Sequence, residues 1–234
     1  MKRILITGAS RGIGLELTKQ NLIRGHYIYA SCRNPTEPTE LMSLQSQYKD
    51  RIEILTLDVE DEDSVKTCFN GLKKKDQSID LLFNNAGIMD WSNFEDISCS
   101  SLEKIYKVNL LGTLLVTRNA IPCLQQSPAP IIVNLSSRLG SIELRGGTQL
   151  GGAIAYQCSK AALNMLTKQM SIDLKPLNIR VISQSPGWVK TEMGGTEAKY
   201  RVQDAVSMML NALESLPSDQ TGIFIGEDGV QIPW

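Results

Sequence analysis

The stretch Ile4-Leu5-Ile6-Thr7-Gly8-Ala9-Ser10-Arg11-Gly12-Ile13-Gly14 decides the fold that this sequence predicts. Three apolar residues predict a short buried strand, the glycines predict a loop, and the apolar residues that follow have helical spacing. Glycine lets the backbone turn tightly and approach a phosphate, and the start of a helix attracts anions. The stretch therefore predicts a nucleotide-binding strand–loop–helix unit, and a purely structural glycine turn is the alternative.

Beyond this unit, apolar strand runs alternate with helical patterns along the chain. The further predicted strands cover residues 26–32, 52–57, 80–83, 131–135, 179–183 and 222–225, and the further helices cover 40–48, 62–74, 101–123, 153–175 and 202–216. This alternation is typical of a parallel sheet with helices on both faces. We predict an α/β fold, a single Rossmann-type doubly wound domain over residues 1–234, with a seven-stranded, mostly parallel sheet flanked by helices.

Composition narrows the class of protein. The 234 residues carry a net charge of −1, which does not suggest a nucleic-acid partner, and 42% of them are hydrophobic. No apolar run is long enough for a signal peptide or a membrane span. The five cysteines lack paired spacing, and with His26 as the sole histidine we expect no metal site and no histidine triad. We expect a cytoplasmic protein with no nucleic-acid or membrane partner.

A candidate acid–base pair lies on the helix predicted after the fifth strand. If Tyr156-Gln157-Cys158-Ser159-Lys160 is helical, Tyr156 and Lys160 lie on one face, one turn apart. A nearby ammonium favours a phenolate and lowers the pKa of the phenol from about 10. The same spacing also fits an ordinary pair of surface residues.

Further polar residues fall at predicted strand ends, the edge at which such sheets bind ligands. Asp58 could accept from an adenine amino group or cap the next helix. The small and amide residues of Asn84-Asn85-Ala86-Gly87 would let the chain pass close to a cofactor. Asn109 is in phase with an apolar helical stripe, where a buried amide needs hydrogen-bond partners. Ser136-Ser137 ends the fifth strand.

The end of the second strand favours NADP(H) over NAD(H). Dinucleotide folds commonly place an acidic residue there to bind a ribose 2′-hydroxyl, or an arginine to bind a 2′-phosphate. Here Cys32 and Arg33 occupy that corner, and Arg11 lies in the glycine loop. Two guanidiniums would pair with the phosphate that only NADP carries, and solvated surface charges are the alternative for each.

Together these motifs resemble the short-chain dehydrogenase/reductase family along essentially the whole chain. The matching residues are the glycine loop, Asn84-Asn85-Ala86-Gly87, Asn109, Ser137, Tyr156 with Lys160, and Pro186-Gly187. Within the family, segments 136–142, 186–195 and 228–234 resemble the sniffer-type carbonyl reductases and the C-factor-like branch.

The resemblance implies NADPH-dependent reduction of a ketone, aldehyde or quinone by four catalytic residues. Tyr156 would be the general acid, and Ser137 rather than Ser136 would hydrogen-bond the carbonyl oxygen. Lys160 would lower the pKa of Tyr156 and contact the nicotinamide ribose, and Asn109 would hold a water in a proton relay. The full set of candidate cofactor-binding residues is Gly8, Ser10, Arg11, Gly12, Ile13, Gly14, Arg33, Asp58, Asn85, Ala86, Gly87, Tyr156, Lys160, Pro186, Gly187, Val189 and Thr191.

Two departures from the family pattern concern the substrate. Ser137 and Tyr156 are 19 positions apart, which is longer than usual in the family, and Gly146–Gly152 forms the surplus. The segment between Thr191 and about Arg201 is short, which suggests an open pocket. Its candidate apolar walls are Met89, Ile142, Trp188 and Met193, although ordinary packing would also explain each.

The resemblance leaves two alternatives to a carbonyl reductase. One is a cofactor-binding regulatory protein of the C-factor type, and the other is an NAD-dependent alcohol dehydrogenase. A pure binder has no need of the complete set Asn109, Ser137, Tyr156 and Lys160, and the two arginines argue against NAD. Because family members commonly pair through the helices that correspond to 101–123 and 153–175, the resemblance also implies a homodimer or homotetramer.

Overall fold

The computed structural model describes residues 1–35, 40–146 and 151–234. Its strands are β1 (Arg3–Ile6), β2 (Tyr27–Cys32), β3 (Ile52–Thr56), β4 (Leu81–Asn84), β5 (Ile131–Leu135), β6 (Arg180–Gln184) and β7 (Ile223–Ile225). Its helices are α1 (Gly12–Ile23), α2 (Glu40–Gln47), α3 (Glu62–Lys74), α4 (Cys99–Tyr106), α5 (Thr113–Leu124), α6 (Ile154–Asp173) and α7 (Val202–Ser215). These elements confirm the predicted alternation.

The seven strands of the described residues form one sheet in the order β3-β2-β1-β4-β5-β6-β7. All of its strand pairs are parallel, so the sheet is wholly rather than mostly parallel. The chain runs outward from β1 to β3 and returns to β4 on the other side of β1. The strand order therefore reverses between β1 and β4, and doubly wound sheets bind ligands at the carboxyl ends of such strands.

The core lies on both faces of the sheet, which explains the continuous apolar run of β1. Ile4 and Ile6 pack on one face, in a cluster with Leu17 of α1. Leu5 points to the opposite face and joins a cluster with Phe69 of α3 and other residues from α5 and α6. A strand buried on both faces has no polar alternation, because every position along it contacts a helix layer.

The helix predicted over 101–123 is interrupted by a π-helical segment, Lys107–Gly112, between α4 and α5. A π turn adds a residue to the helical repeat and so shifts the phase of the buried face. Of the predicted buried stripe, Ile105 before the π turn and Val116 and Ala120 beyond it are buried, whereas Leu102 is 37% exposed. Asn109 lies within the π segment and is also fully buried.

Residues 147–150 of the predicted glycine-rich surplus Gly146–Gly152 lie outside the described residues. Among the helices of the described ranges, none combines the length and the apolar character that a bilayer span requires.

Candidate active site

The glycine loop packs directly against the segment that follows β4. Asn85 donates from Nδ2 to the carbonyl oxygens of Thr7 at 2.7 Å and Gly8 at 3.1 Å. In return, Thr7 Oγ1 accepts from the backbone N–H groups of Asn85 and Ala86, each at 3.0 Å. A β-carbon on Gly14 would overlap the carbonyl oxygen of Gly8 and lie 2.6 Å from Asn85 Nδ2. This packing is possible because position 14 has no side chain.

The start of α1 faces the segment that follows β6. Arg11 is the N-cap residue, and its side chain makes no capping hydrogen bond within the described residues. It forms an ion pair with Glu192 instead, with 2.7 Å between Nη1 and Oε2, and both side chains are largely exposed. A β-carbon on Gly12 would lie 3.7 Å from Thr191 Cγ2. The glycine loop and the segment around Thr191 therefore form two walls of one crevice.

The ends of β2 and β3 border the same loop. The backbone N–H of Ala9 donates to the carbonyl of Ser31 at 2.9 Å, and Arg33 lies exposed just beyond β2. Asp58 follows β3, and its Oδ1 accepts from the backbone N–H of Glu60 at 3.0 Å. The alternative role of Asp58 as a helix cap is wrong, because α3 is capped by Asp61.

The two serines after β5 have different partners. Ser136 is 2% exposed and donates from Oγ to Asn164 Oδ1 at 2.7 Å. Ser137 is partly exposed and accepts at Oγ from the backbone N–H of Leu139 at 3.1 Å, and its hydroxyl lies near enough to Tyr156 to lower the pKa of the phenol. Of the two hydroxyls, that of Ser137 is the one placed against Tyr156.

Tyr156 and Lys160 lie on the buried face of α6, one turn apart, as their spacing predicts. Lys160 Nζ is 5.5 Å from the centroid of the Tyr156 ring. Its hydrogen bond goes to the backbone carbonyl of Leu135, at 2.7 Å. The ammonium is therefore held at the end of β5, beside the aromatic ring.

The predicted direction of the Tyr156 pKa shift is wrong for this structure. Burial raises the pKa of Tyr156 to about 12, and the hydrogen bond with Ser137 opposes this shift only in part. Burial also lowers the pKa of Lys160 to about 8, because desolvation penalises its charged form. Sequence spacing indicates that the two groups are close, whereas their removal from water determines the direction of both shifts.

Lys160→Met is expected to raise the free energy of unfolding at pH 7 by about 2 kcal/mol, after allowance for the lost hydrogen bond. The pKa of Lys160 is about 8 in the folded chain against 10.5 ordinarily, so the unfolded chain binds more protons between these values. The free energy of unfolding of the wild type therefore rises as the pH increases from about 8 to 10.5, and the difference in stability between Lys160→Met and the wild type becomes smaller.

Urea unfolding at several pH values from 7 to 10.5 measures this prediction for Lys160. Lys66→Met is the control, because Lys66 is exposed and pairs with Glu62 on the surface of α3. An advantage of Lys160→Met that does not shrink with rising pH would contradict the prediction.

Asn109 ties the π segment to the chain beyond β4. Its Nδ2 donates to the carbonyl of Ile88 at 2.9 Å and to Ser159 Oγ at 3.0 Å, and its Oδ1 accepts from the N–H of Ile88 at 2.9 Å. A β-carbon on Gly87 would lie 3.3 Å from Asn109 Oδ1 and 3.6 Å from Lys160 Nζ. Both amide hydrogens of Asn109 are used, so a relay water would have to reach its side chain through Oδ1.

The segment after β6 turns sharply at Gly187. This residue follows Pro186 and has a φ of +76°, and a β-carbon on it would lie 2.9 Å from the Tyr200 ring. Val189 is 4% exposed and pairs with Tyr200 in an isolated bridge. Thr191 Oγ1 accepts from the backbone N–H of Gly194 at 3.0 Å. These contacts hold Val189 and Thr191 in a compact turn.

The candidate substrate residues are not ordinary core residues. Ile142 is 73% exposed, Trp188 is 51% exposed and Met193 is 38% exposed, while Met89 is partly buried. Trp188 is fixed by a hydrogen bond from Nε1 to the carbonyl of Gly194 at 2.8 Å. Ile142, Trp188 and Met193 are thus accessible apolar side chains, and an open substrate pocket between them stays a prediction.

Sequence reasoning missed several residues around the site. Trp91 and Phe94 are 57% and 81% exposed, and their loop reaches the start of α6, since a β-carbon on Gly152 would lie 3.0 Å from Asn93 Oδ1. Asn164 is another buried polar residue on α6, and its spacing of one turn from Lys160 could have revealed it. No pattern in the sequence pairs Arg11 with Glu192.

Comparisons with known proteins agree with this geometry. The sequence model of the short chain dehydrogenase family matches residues 2–201. The C-signal protein of Myxococcus xanthus is 38% identical over 157 residues, which are 67% of this chain and 93% of that protein. An NADPH-bound carbonyl reductase from chicken fatty liver is 33% identical, with a TM-score of 0.94 over 100% of this chain and 99% of that one.

The carbonyl reductase Sniffer of D. melanogaster is also 33% identical, with a TM-score of 0.92 over the full length of both chains. These relatives confirm the resemblance to the sniffer-type and C-factor-like branch. This chain belongs to the short-chain dehydrogenase/reductase family of oxidoreductases.

Proposed function

We propose that this chain is an NADPH-dependent carbonyl reductase that converts a ketone, aldehyde or quinone to an alcohol. The observation that carries the proposal is the proximity of the Ser137 hydroxyl to the Tyr156 phenol, whose pKa it lowers, with Lys160 5.5 Å from the Tyr156 ring centroid on α6. The similarity to a carbonyl reductase with bound NADPH supports both the reaction and the cofactor.

Two hydroxyls would act on the carbonyl oxygen. Ser137 donates a hydrogen bond to that oxygen, and Tyr156 gives it a proton as the alcohol forms. Bound NADPH supplies the hydride that the carbonyl carbon accepts. Because burial raises the pKa of Tyr156 to about 12, the phenol is protonated at neutral pH, as a general acid must be. Preorganised donors also stabilise the developing alkoxide.

Lys160 and Asn109 complete the proposed catalytic set. The Lys160 ammonium lies near enough to the Tyr156 ring to stabilise the phenolate that proton transfer leaves behind, and it would contact the nicotinamide ribose. Asn109 fastens the segment at Ile88 and offers Oδ1 to a water that could return a proton to the site. Removing water from the crevice strengthens each of these interactions.

The residues around the glycine loop fit a dinucleotide. The first turn of α1 holds no acidic residue, and no described side chain caps it, so its N–H groups suit a pyrophosphate. The wall opposite this turn is the segment that contains Thr191. We assign the cofactor to Gly8, Ser10, Arg11, Gly12, Ile13, Gly14, Arg33, Asp58, Asn85, Ala86, Gly87, Tyr156, Lys160, Pro186, Gly187, Val189 and Thr191.

The test of this proposal is the loss of NADPH absorbance with a panel of ketones, aldehydes and quinones. Turnover of at least one of these compounds supports a carbonyl reductase. Tight NADPH binding without any turnover would contradict it. That outcome would favour a second candidate function, that of a cofactor-binding signalling protein. The similarity to C-signal supports this candidate.

The preference for NADPH over NADH should depend on Arg33 and Arg11. We expect Arg33→Ala to weaken NADPH binding by about 10- to 100-fold, the range of a lost charge-assisted hydrogen bond, with little change for NADH. Arg11→Ala should have a smaller effect, because Arg11 is already paired with Glu192 in the cofactor-free chain. Dissociation constants of both cofactors measure this, with Arg118→Ala, a surface change on α5, as the control. A wild type that prefers NADH would contradict the assignment.

We also propose that the chain forms a homodimer or homotetramer through α4, α5 and α6. Large apolar side chains on α5 and α6 support this, since Leu114 is 38% exposed, Met165 is 71% exposed and Ile172 is 59% exposed. Such side chains are typical of a surface that another subunit covers. The single-domain arrangement over residues 1–234 and the cytoplasmic location remain predictions.

A further inference from the structure

The end of β5 is fastened to the helix that carries Tyr156. Lys160 Nζ donates to the carbonyl of Leu135 at 2.7 Å, and Ser136 Oγ donates to Asn164 Oδ1 at 2.7 Å. Asn164 also donates from Nδ2 to the carbonyl of Gly140 at 3.2 Å. These bonds join residues on both sides of Ser137 to α6.

Asn164 is the centre of this connection. It lies one turn beyond Lys160 on α6 and is 3% exposed. Its Oδ1 accepts two hydroxyls, from Ser136 at the end of β5 and from Ser183 in β6, each at 2.7 Å. The Asn164 amide therefore joins the end of β5, strand β6 and the turn at Gly140, and removing one of the two serine hydroxyls leaves Oδ1 bonded to the other.

The position of Ser137 depends on this network. Ser137 lies between Ser136 and Gly140, which are both bonded to Asn164. Gly140 also packs closely on α6, since a β-carbon on it would lie 2.7 Å from the Lys160 backbone. A catalytic hydroxyl that shifts by about 1 Å can cost a hundredfold in rate. We propose that Asn164, acting through Ser136, is a positioning residue that holds the Ser137 hydroxyl against Tyr156.

Two serines provide a matched test. Ser136→Ala and Ser183→Ala each remove one buried hydroxyl that donates to the same oxygen at the same distance of 2.7 Å. We expect Ser136→Ala to lower kcat by about 10- to 100-fold at an unchanged KM, because it alone loosens the segment next to Ser137. Ser183→Ala should stay within about twofold of the wild type, with a similar fall in Tm.

Asn164→Ala gives a second measure of the same coupling. It should lower kcat at least as much as Ser136→Ala, and adding Ser136→Ala to it should lower kcat no further, because both changes act through one bond. If Asn164→Ala fails to fold, the two serine variants still decide the matter. Equal kcat in Ser136→Ala and Ser183→Ala would overturn the proposal.

The rate measurements rest on the proposed function, whereas crystal structures of the two serine variants do not. These structures therefore test the positioning role separately from the proposed function. We expect the oxygens of Ser137 and Tyr156 to lie farther apart in Ser136→Ala than in the wild type, and to keep the wild-type distance in Ser183→Ala. A wild type that reduces no carbonyl compound would refute the proposed function alone. An unmoved Ser137 in Ser136→Ala would refute the positioning role, whatever the activity.

Discussion

Tyr156→Phe is expected to lower kcat for NADPH-dependent carbonyl reduction by about 10³-fold, the range of a lost general acid. The variant keeps the aromatic ring, which is buried on α6 beside Lys160, and removes only the hydroxyl that lies near Ser137. Without this hydroxyl, the carbonyl oxygen of the substrate, which becomes negatively charged during reduction, has no proton donor at the required position. We expect the dissociation constant of NADPH to change by less than about threefold, because the cradle around the glycine loop is untouched.

Tyr106→Phe is the matched control for this experiment. Tyr106 ends α4, is partly buried and lies near Cys158 of α6, so the same atom is removed close to the same helix. Its kcat should stay within about twofold of the wild type, since its hydroxyl has no role in the proposed chemistry. Full activity in Tyr156→Phe would end the proposed mechanism, and parallel losses in both variants would indicate a general disturbance of the fold.

The fold could be predicted because each strand carries its own local signal. Ile4, Leu5 and Ile6 are apolar at successive positions, and the structure places them alternately in the two core clusters. The glycine loop follows this strand at once, and α1 begins within the loop at Gly12. Local sequence of this kind fixes the type of each element, while boundaries shift by a residue or two, as at β2, which begins at Tyr27 rather than at His26.

The π segment around Asn109 could not be predicted from spacing. Apolar positions before and after it still recur at helical intervals, and the extra residue of the π turn is set by tertiary contacts of Asn109 with Ile88 and Ser159. Leu102 is 37% exposed, although Ile105 of the same predicted stripe is buried on the same side of the π segment. A helical repeat read from sequence assumes an unbroken period and does not indicate where a π turn is inserted.

In the site, too, sequence spacing indicates which residues are close to each other, whereas packing determines their hydrogen-bond partners and their burial. The i, i+4 spacing correctly places Tyr156 and Lys160 side by side on α6. It does not indicate that Lys160 donates to a backbone carbonyl, or that both groups are buried deeply enough for desolvation to determine their pKa shifts. Backbone partners and burial depend on neighbouring strands, and no local pattern records them.

Gly14→Ala is expected to destabilise the chain by about 1–3 kcal/mol and to weaken NADPH binding by at least about tenfold. The added methyl group would overlap the carbonyl oxygen of Gly8 and lie 2.6 Å from Asn85 Nδ2. Neither partner can move freely, because Asn85 is bonded to the backbone of Thr7 and Gly8. The loop must therefore open, and the N–H groups that would hold the pyrophosphate lose their arrangement.

Gly71→Ala separates this clash from the general effect of replacing a helical glycine. Gly71 lies inside α3, and apart from its chain neighbours and the adjacent helix backbone, no described atom lies within 4 Å of the position that its β-carbon would take. Alanine is favoured over glycine in a helix by about 1 kcal/mol, so this variant should gain stability and bind NADPH normally. Gly14→Ala has the same gain in helix propensity. A loss of stability in that variant can therefore come only from the steric overlap. Urea unfolding and NADPH titration of both variants measure the two effects, and equal stability of the two would show that the loop tolerates a side chain at position 14.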